Sequence, residues 1–308
     1  MNSPAISVVM SVYNGLPYLP LAIESILTQT FADFEFVIVD DGSTDNSREI
    51  IKSYEDPRIV LICNQENIGL TKSLNKAIHL CQGEFIARQD ADDSSEPNRI
   101  EEQVKLMESN ANVGLVCSWA TEIDRDGNAV KAWSYPSDPT SFRATMFFYN
   151  CVIHSTALIR KSILPVTPYD ESLRFAQDYN LWVDILQSHE IHCIDKELIK
   201  YRVHEESITK SRSMEQVSCV KHAQKKLLCM IGINADIQTL DNHAKILSGN
   251  YPRPFHAIRW LKKLREFNES SMSFDCDLFN GKIQYRIENY KKDMNLFQRL
   301  FGINHSLR

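Results

Sequence analysis

The sequence predicts an α/β protein: a mostly parallel central sheet with helices on both faces, followed by a C-terminal helical region. Three observations carry that prediction. Short β-branched runs alternate with amphipathic stretches through the first hundred residues, the pattern of successive βαβ units. Strand-like runs persist to about residue 202, whereas only helical periodicity continues after 209. Charge changes sign at the same place: residues 1–208 carry 17 basic and 31 acidic side chains (−14), and 209–308 carry 17 and 9 (+8). The expected organisation is a first domain over 1–208, with halves of about 1–110 and 111–208, and a basic, mainly helical region over 209–308.

Ile6 to Val12, Glu35 to Asp41, Arg58 to Asn64 and Phe85 to Gln89 are nearly continuous apolar runs, as parallel strands covered on both faces require. Between them, Tyr18 to Thr30 sets Leu19, Ala22, Ile23, Ile26 and Leu27 on one stripe; Asp45 to Tyr54 groups Ile50, Ile51 and Tyr54; and Leu70 to Cys81 groups Leu74, Ala77, Ile78 and Cys81. The three strand–helix–strand steps are expected to cross over right-handed. Pro97 suits a first helical turn, with Ile100, Val104 and Met107 as the stripe of a helix ending near Asn110. Val113 to Asp124 and Ala129 to Tyr135 flank the turn-forming Arg125-Asp126-Gly127-Asn128 and read as a hairpin. Val152 to Arg160 and His192 to Arg202 read as further strands around a helix at Phe175 to Ser188, and helices with breaks near 249–254 and 270–274 complete the chain.

The composition bounds the function. With 43% hydrophobic and 24% charged residues the chain is an ordinary globular one, and a net charge of −6 argues against a dedicated nucleic-acid binder, which needs a basic face. The eight cysteines stand 10 to 47 positions apart with no CxxC pair, a spacing that suits neither zinc nor redox motifs. MNSPAISVVMSVYNG lacks the marks of a signal peptide, so free thiols and a cytoplasmic location are expected. There is no GxGxxG after the first strand, no GxxxxGK[ST] and no GxSxG. Dinucleotide binding, P-loop triphosphate hydrolysis and serine-hydrolase chemistry thus lose their usual signatures.

In open α/β sheets ligands bind beyond the carboxyl ends of the strands. Three predicted strands end in Ser11-Val12-Tyr13-Asn14-Gly15, Asp40-Asp41-Gly42-Ser43-Thr44-Asp45 and Asp90-Ala91-Asp92-Asp93. The second segment reads equally as a turn with a helix cap at Asp45 and as a nucleoside contact through Asp41. The third sets three carboxylates in four positions, which repel unless a cation or strong donors intervene; hard oxygen ligands favour Mg²⁺ or Mn²⁺. A calcium EF-hand over Asp90 to Glu101 is rejected, because Ser95 stands at its glycine position and Pro97 opens a helix inside the loop.

Together these segments resemble family 2 glycosyltransferases of the GT-A fold, inverting enzymes with a Rossmann-like sheet that use nucleotide-diphosphate sugars. The resemblance spans roughly residues 5 to 210 and rests on SVYNG (11–15), VDDGSTD (39–45), NIGLTKSLN (67–75), ARQDADD (87–93), PNRIEEQ (97–103), NCVIHSTALIR (150–160), AQDYNLW (176–182) and YRVHEESIT (201–209). It implies that 1–208 is the catalytic domain, its first half binding nucleotide and its second the acceptor. Val12, Tyr13 and Asn14 would meet the nucleoside, and Asp41 a pyrimidine, uracil above all. Asn67, Gly69 and Lys72 would lie beside the nucleotide, a solvent-facing Lys72 being an equal alternative. Asp90-Ala91-Asp92 matches the DxD motif, with Asp92 and Asp90 at an Mn²⁺ or Mg²⁺ ion and His204 as a further ligand. Asp93 would contact donor sugar or support the turn. Arg88 and Arg99 would brace the carboxylates or reach phosphate, Arg99 rather as a structural ion pair.

The resemblance makes Asp178 the general base. Gln177 replaces the acid usual before it, which touches the acceptor contact rather than the base. His154, read as mid-strand, and Trp182 are candidates for the acceptor pocket, with core positions as the alternative for both. The expected activity is metal-dependent transfer of a hexosyl or N-acetylhexosaminyl group to a glycan or lipid-linked oligosaccharide acceptor in surface polysaccharide or lipooligosaccharide synthesis. An inactive donor-binding module and a sugar-nucleotide pyrophosphorylase are the rivals; VYNGLPYLP has no basic residue for the latter's triphosphate. In the tail, Phe255, Ile258, Leu261 and Leu264 recur at threes among Arg259, Lys262, Lys263 and Arg265. Packing on the acidic domain is the favoured reading, with peripheral contact to the inner membrane and a homodimer interface as the others.

Overall fold

The computed structural model describes residues 3–205 and 214–301. The expected boundary at 208 and residues 206–209 of YRVHEESIT lie outside the described residues. The chain forms β1 (Ile6–Val12), α1 (Leu19–Leu27), β2 (Phe34–Asp40), α2 (Ser47–Ser53), β3 (Ile59–Cys63), α3 (Leu70–Leu80) and β4 (Phe85–Arg88), as predicted. It continues through β5 (Ser94–Ser95), α4 (Arg99–Ser109), β6 (Val113–Ile123), β7 (Ala129–Trp133), α5 (Pro139–Met146), β8 (Leu158–Arg160), α6 (Gln177–Ser188) and β9 (Glu190–Arg202). Helices α7 (Met214–Met230), α8 (Ile237–Leu247), α9 (Pro254–Ser271) and α10 (Cys276–Phe301) follow.

The nine-stranded sheet has the order β3-β2-β1-β4-β8-β6-β9-β5, with β7 beside β6. The four strands from β3 to β4 are parallel neighbours. Beyond them β8 runs antiparallel to β4 and β6, β7 to β6 and β5 to β9, and only β6 and β9 pair in parallel. The sheet as a whole is therefore mixed, and the parallel expectation holds for its first half. The period of two along each strand sends alternate side chains to opposite faces. Val9, Val37 and Val39 join Leu74, Ala77 and Ile78 of α3 on one face; Val8, Met10, Phe36 and Ile38 join Leu19 and Ile23 of α1 and Ile100 and Val104 of α4 on the other.

The first of these cores also takes in Trp182 and Leu186 of α6, Phe142 and Met146 of α5, Leu227 of α7, Leu261 and Leu264 of α9, and Phe279 and Ile283 of α10. The C-terminal helices and the second half of the first 208 residues thus share one apolar cluster. On α9 the inward face is Ala257, Leu261, Leu264 and Asn268, while Phe255 is 53% exposed and outside it. No described helix is long and apolar enough to cross a membrane.

Two local expectations are corrected. Residues 152–160 are not one strand: His154–Thr156 make a 3-10 turn and only Leu158–Arg160 pair in the sheet. Helix α5, absent from the prediction, is opened by Asp138, whose carboxylate accepts from Thr140 N at 3.1 Å and Ser141 N at 2.9 Å.

Candidate active site

Register brings the strand ends to one edge. Val12 pairs with Asp40 across β1 and β2, and Val9 with Arg88 across β1 and β4, so Tyr13, Asp41 and the Asp90–Asp93 turn follow side by side. Asn14 ties the first two loops together. Its backbone takes the left-handed conformation (φ 51°), which asparagine tolerates. Its Oδ1 accepts from Thr44 N at 2.8 Å and Asp45 N at 3.3 Å, and its N donates to Ser43 Oγ at 3.0 Å. Tyr13 is 50% exposed, whereas the Val12 side chain lies wholly in the core and its carbonyl accepts from Asp41 N. Asp45 accepts from Ser47 N at 3.0 Å beside the start of α2.

Asp41 is not free for a nucleoside, contrary to the sequence reading. It is 1% exposed. Its Oδ1 accepts from Asn64 Nδ2 at 2.8 Å and Ile68 N at 2.9 Å, and its Oδ2 from Gly69 N at 2.9 Å. Three of roughly four acceptor positions thus hold the 64–69 segment in place. Gly42 belongs to the same junction: its φ is +74°, and a Cβ there would fall 2.5 Å from the Glu66 carbonyl carbon. Gly69, at φ +94°, faces open space, and Asn67 and Lys72 are exposed beside it.

The acidic turn is clamped from behind. Gln89, wholly buried, donates Nε2 to the carbonyls of Asp90 and Asp93 at 3.1 and 3.0 Å. Its Oε1 accepts from Ser95 Oγ at 2.7 Å and Arg99 Nη1 at 3.0 Å. Arg99 also donates to Ser95 Oγ at 2.9 Å, Gln103 Oε1 at 3.2 Å and the Arg88 carbonyl at 2.7 Å. Its partners are neutral, so it makes no ion pair with the turn. With 0% exposure it does not reach phosphate, and burial pushes its pKa down to about 9. Arg88, also buried, pairs with Asp90 and donates to the Val9 carbonyl; it braces rather than reaches out.

Asp93 turns inward, its carboxylate accepting from Ser155 Oγ and, at 2.8 Å, from Arg202 N. Asp92 faces outward, 34% exposed, with Oδ2 3.1 Å from His204 Nε2. The β5–β9 pairing, Ser94 with Lys200, delivers Arg202 and His204 to this place, and Arg202 packs 4.4 Å over the Tyr18 ring. Burial, then the charge of Asp90, raises the Asp92 pKa. Burial and both neighbouring aspartates raise that of Asp93 well above the usual range. The cluster is thus short of positive charge on its open side, where a cation would reverse these shifts.

Asp178 lies in the first turn of α6, beyond Ala176, which sits at φ 54°. A carboxylate there is favoured by the helix dipole. Asn150 Nδ2 donates to its Oδ2 at 3.0 Å, while Asn150 Oδ1 accepts from Val152 N at 3.1 Å. Burial raises the Asp178 pKa, opposed by the Asn150 hydrogen bond and reinforced by the charge of Asp90. Gln177 is 6% exposed. His154 Nε2 lies 2.8 Å from Tyr169 OH, and burial together with the Arg88 charge holds it neutral, its pKa well below the ordinary value. Trp182 has 0% exposure and packs against the His154 ring. It supports the wall and offers no face to a sugar.

Sequence reasoning missed Asn150, Gln89, Ser155 and Arg202. Asn150 opens NCVIHSTALIR and Gln89 sits inside ARQDADD, so both were in plain view, but their partners lie on other elements. Among the described residues no three His, Cys, Asp or Glu side chains converge on one point. Asp92 and His204 supply one carboxylate and one imidazole, a donor set that fits a divalent ion sharing its coordination with a substrate diphosphate.

Residues 7–166, just over half of the chain, match Glycosyl transferase family 2. An uncharacterised glycosyltransferase of Methanocaldococcus jannaschii is 38% identical over 210 residues, 66% of this chain and 72% of that protein. One from Haemophilus influenzae is 27% identical over 237 residues, 73% of each. Among solved structures, S. aureus TarS 1–349 in complex with UDP-GlcNAc superimposes with a TM-score of 0.64 at 16% identity, over 96% of this chain and 91% of that one. The mannosyltransferase PcManGT of Pyrobaculum calidifontis, in complex with GDP-Man and Mn²⁺, gives 0.58 at 15%, over 98% and 88%. These likenesses establish the GT-A fold, and with the sequence matches they place the chain in glycosyl transferase family 2.

Proposed function

We propose that this glycosyltransferase moves a sugar from a nucleotide diphosphate, a UDP-sugar, to an acceptor hydroxyl with inversion at the anomeric carbon. The carrying observation is Asp178: a carboxylate at a helix N-terminus, held by Asn150 and close enough to Asp90 to feel its charge. Asp178 takes the proton of the acceptor hydroxyl as that oxygen attacks the anomeric carbon opposite the departing diphosphate. Proton removal by a positioned carboxylate contributes ~10²- to 10⁴-fold. Asp92 and His204, with Asp90 behind them, would hold Mn²⁺ or Mg²⁺, which when bound offsets the charge developing on the leaving diphosphate. The nucleoside lies over Tyr13 and Gly69, on the 64–69 segment that the buried Asp41 holds in place.

The acceptor in this reading is a glycan or lipid-linked oligosaccharide of surface polysaccharide synthesis, met at the cytoplasmic face of the membrane. Calorimetry with UDP-, GDP-, CDP- and dTDP-sugars, with Mn²⁺ and then EDTA, tests the donor half. Metal-dependent binding of a UDP-sugar is the expected result; binding of none, or binding indifferent to EDTA, contradicts it.

A further inference from the structure

Lys282 and Arg286 stand one turn apart on α10 against the segment 148–151. The Arg286 guanidinium lies 4.3 Å from the Phe148 ring centroid, and Lys282 is near enough to the Cys151 thiol for the two to interact electrostatically. Both cations are half-buried. Among the described residues neither is paired with a carboxylate. Arg286 Nη1 donates to the Lys282 carbonyl at 3.5 Å; the charged or ionisable groups acting on Arg286 are Tyr149, Tyr285 and Tyr290, and those acting on Lys282 are Arg286 and Cys151. Burial lowers both pKa values, and for Lys282 the Arg286 charge adds to it. Partly desolvated like charges without a counter-ion destabilise a fold, so an anion is the missing member of this group.

There is room for one. Arg286 lines a cavity of about 240 Å³ with Tyr285, Asn289, Tyr290, Ser248 and Gly249, with no carboxylate in its wall and Lys282 outside it, one helical turn away. The carbonyls at the end of α8 do not compete for the guanidinium. Those of Ala244, Lys245 and Ile246 accept from Ser248 N, Asn250 N and Gly249 N, and Ile246 O also from Tyr290 OH.

Arg286, through the Phe148 ring it covers, is tied to the reaction centre by a short piece of chain. Phe148 and Asn150 are two residues apart, at most ~7 Å of backbone, and Asn150 holds Asp178. Tyr149, between them, is 47% exposed and Tyr285 is 63% exposed; an exposed aromatic ring beside polar groups is a surface on which a sugar ring can lie. We propose that the acceptor is anionic, carrying a phosphate group that binds Lys282 and Arg286 while its reactive hydroxyl lies at Asp178. This rests on the reading of Asp178 as the base. Arginine and lysine in this arrangement offer a forked donor and a point charge, both suited to phosphate oxygens.

The test is thermal unfolding of the full chain in EDTA with inorganic phosphate as probe, against sodium chloride at equal ionic strength. Phosphate is expected to raise Tm in the wild type and in Asp178→Asn alike. The concentration giving half the effect should rise at least tenfold in Lys282→Met/Arg286→Gln and stay near wild type in Arg286→Lys. Should the double variant fold poorly, Lys282→Met alone keeps Arg286 over Phe148 and is expected to raise that concentration about threefold. An equal effect of phosphate and chloride, or an undiminished phosphate effect in the variants, overturns the proposal. Glycosyl transfer retained by Asp178→Asn would instead refute the base assignment, with the phosphate response unchanged.

Discussion

Removing the Asn150 side chain should change the pH at which the enzyme works more than the rate it reaches. Asn150 donates to Asp178 at 3.0 Å and lowers its pKa against the upward pull of burial. A hydrogen bond to a charged group contributes ~1.5–3 kcal/mol, and one pKa unit corresponds to ~1.4 kcal/mol. In Asn150→Ala the base should therefore titrate about one to two units higher. A base must be ionised to act, so the acid limb of kcat/KM moves to higher pH by the same amount. Well below the new pKa, activity falls roughly 10- to 100-fold, by the same conversion, while the alkaline plateau changes much less. Groups that share this titration are Asp90, which raises the Asp178 pKa, and Tyr169 and Tyr179, whose own values Asp178 raises. The assay is nucleotide release against pH at limiting donor. Asn150→Ser, which keeps a donor, should fall between wild type and alanine. Loss of activity with an acid limb superimposed on wild type would refute the reasoning, since it would make Asn150 merely structural.

Three further outcomes follow from packing and burial. Arg99→Leu removes the Arg99 donors from the buried Ser95 hydroxyl, Gln103 Oε1 and the Arg88 carbonyl, while Gln89 Oε1 keeps the Ser95 hydroxyl; at ~1–3 kcal/mol per unsatisfied group it should cost about 3 kcal/mol or more in urea unfolding. Leu261→Ala opens a hole in the cluster shared by α9, α6 and α5 and should cost about 2–5 kcal/mol. Circular dichroism and tryptophan fluorescence should still report one transition, and two separate transitions would contradict the shared core. His243 is wholly buried, accepts from Trp260 Nε1 at 3.0 Å, and has its pKa pushed down by burial to about 3. Between about pH 6.5 and 3 the unfolded state binds this proton and the folded state does not, so stability falls as pH falls. In His243→Phe that slope should flatten by up to one proton, although the stranded Trp260 N–H lowers stability at neutral pH.

The parallel half of the fold was legible because strands covered on both faces are written as unbroken apolar runs, and the helices between them carry clear stripes. Strand direction has no such signature. Leu158–Arg160 is as apolar as a parallel strand yet runs antiparallel between β4 and β6, and β5 is two serines fixed only by their partners in β9. Helix α5 was hidden because eight residues span too few turns for a periodic pattern to emerge.

At the site, sequence located the carboxylates but not their donors. Asp41 looked free because its partners, Asn64, Ile68 and Gly69, lie more than twenty residues away. Arg99 looked like an ion-pair partner because nothing local shows that its fork is filled by neutral oxygens. Trp182 could be placed in the core from its spacing with Ile185 and Leu186, and there it lies.

The central claim is a division of labour between Asp178 and Asp92. It is tested most directly by measuring donor affinity and transfer rate side by side in Asp178→Asn and Asp92→Ala with Mn²⁺ present. Asp178→Asn should lose transfer by ~10²-fold or more with donor affinity nearly intact, and Asp92→Ala should lose metal-dependent donor binding. Equal loss of donor binding in the two variants, or transfer undiminished in Asp178→Asn, would contradict the account.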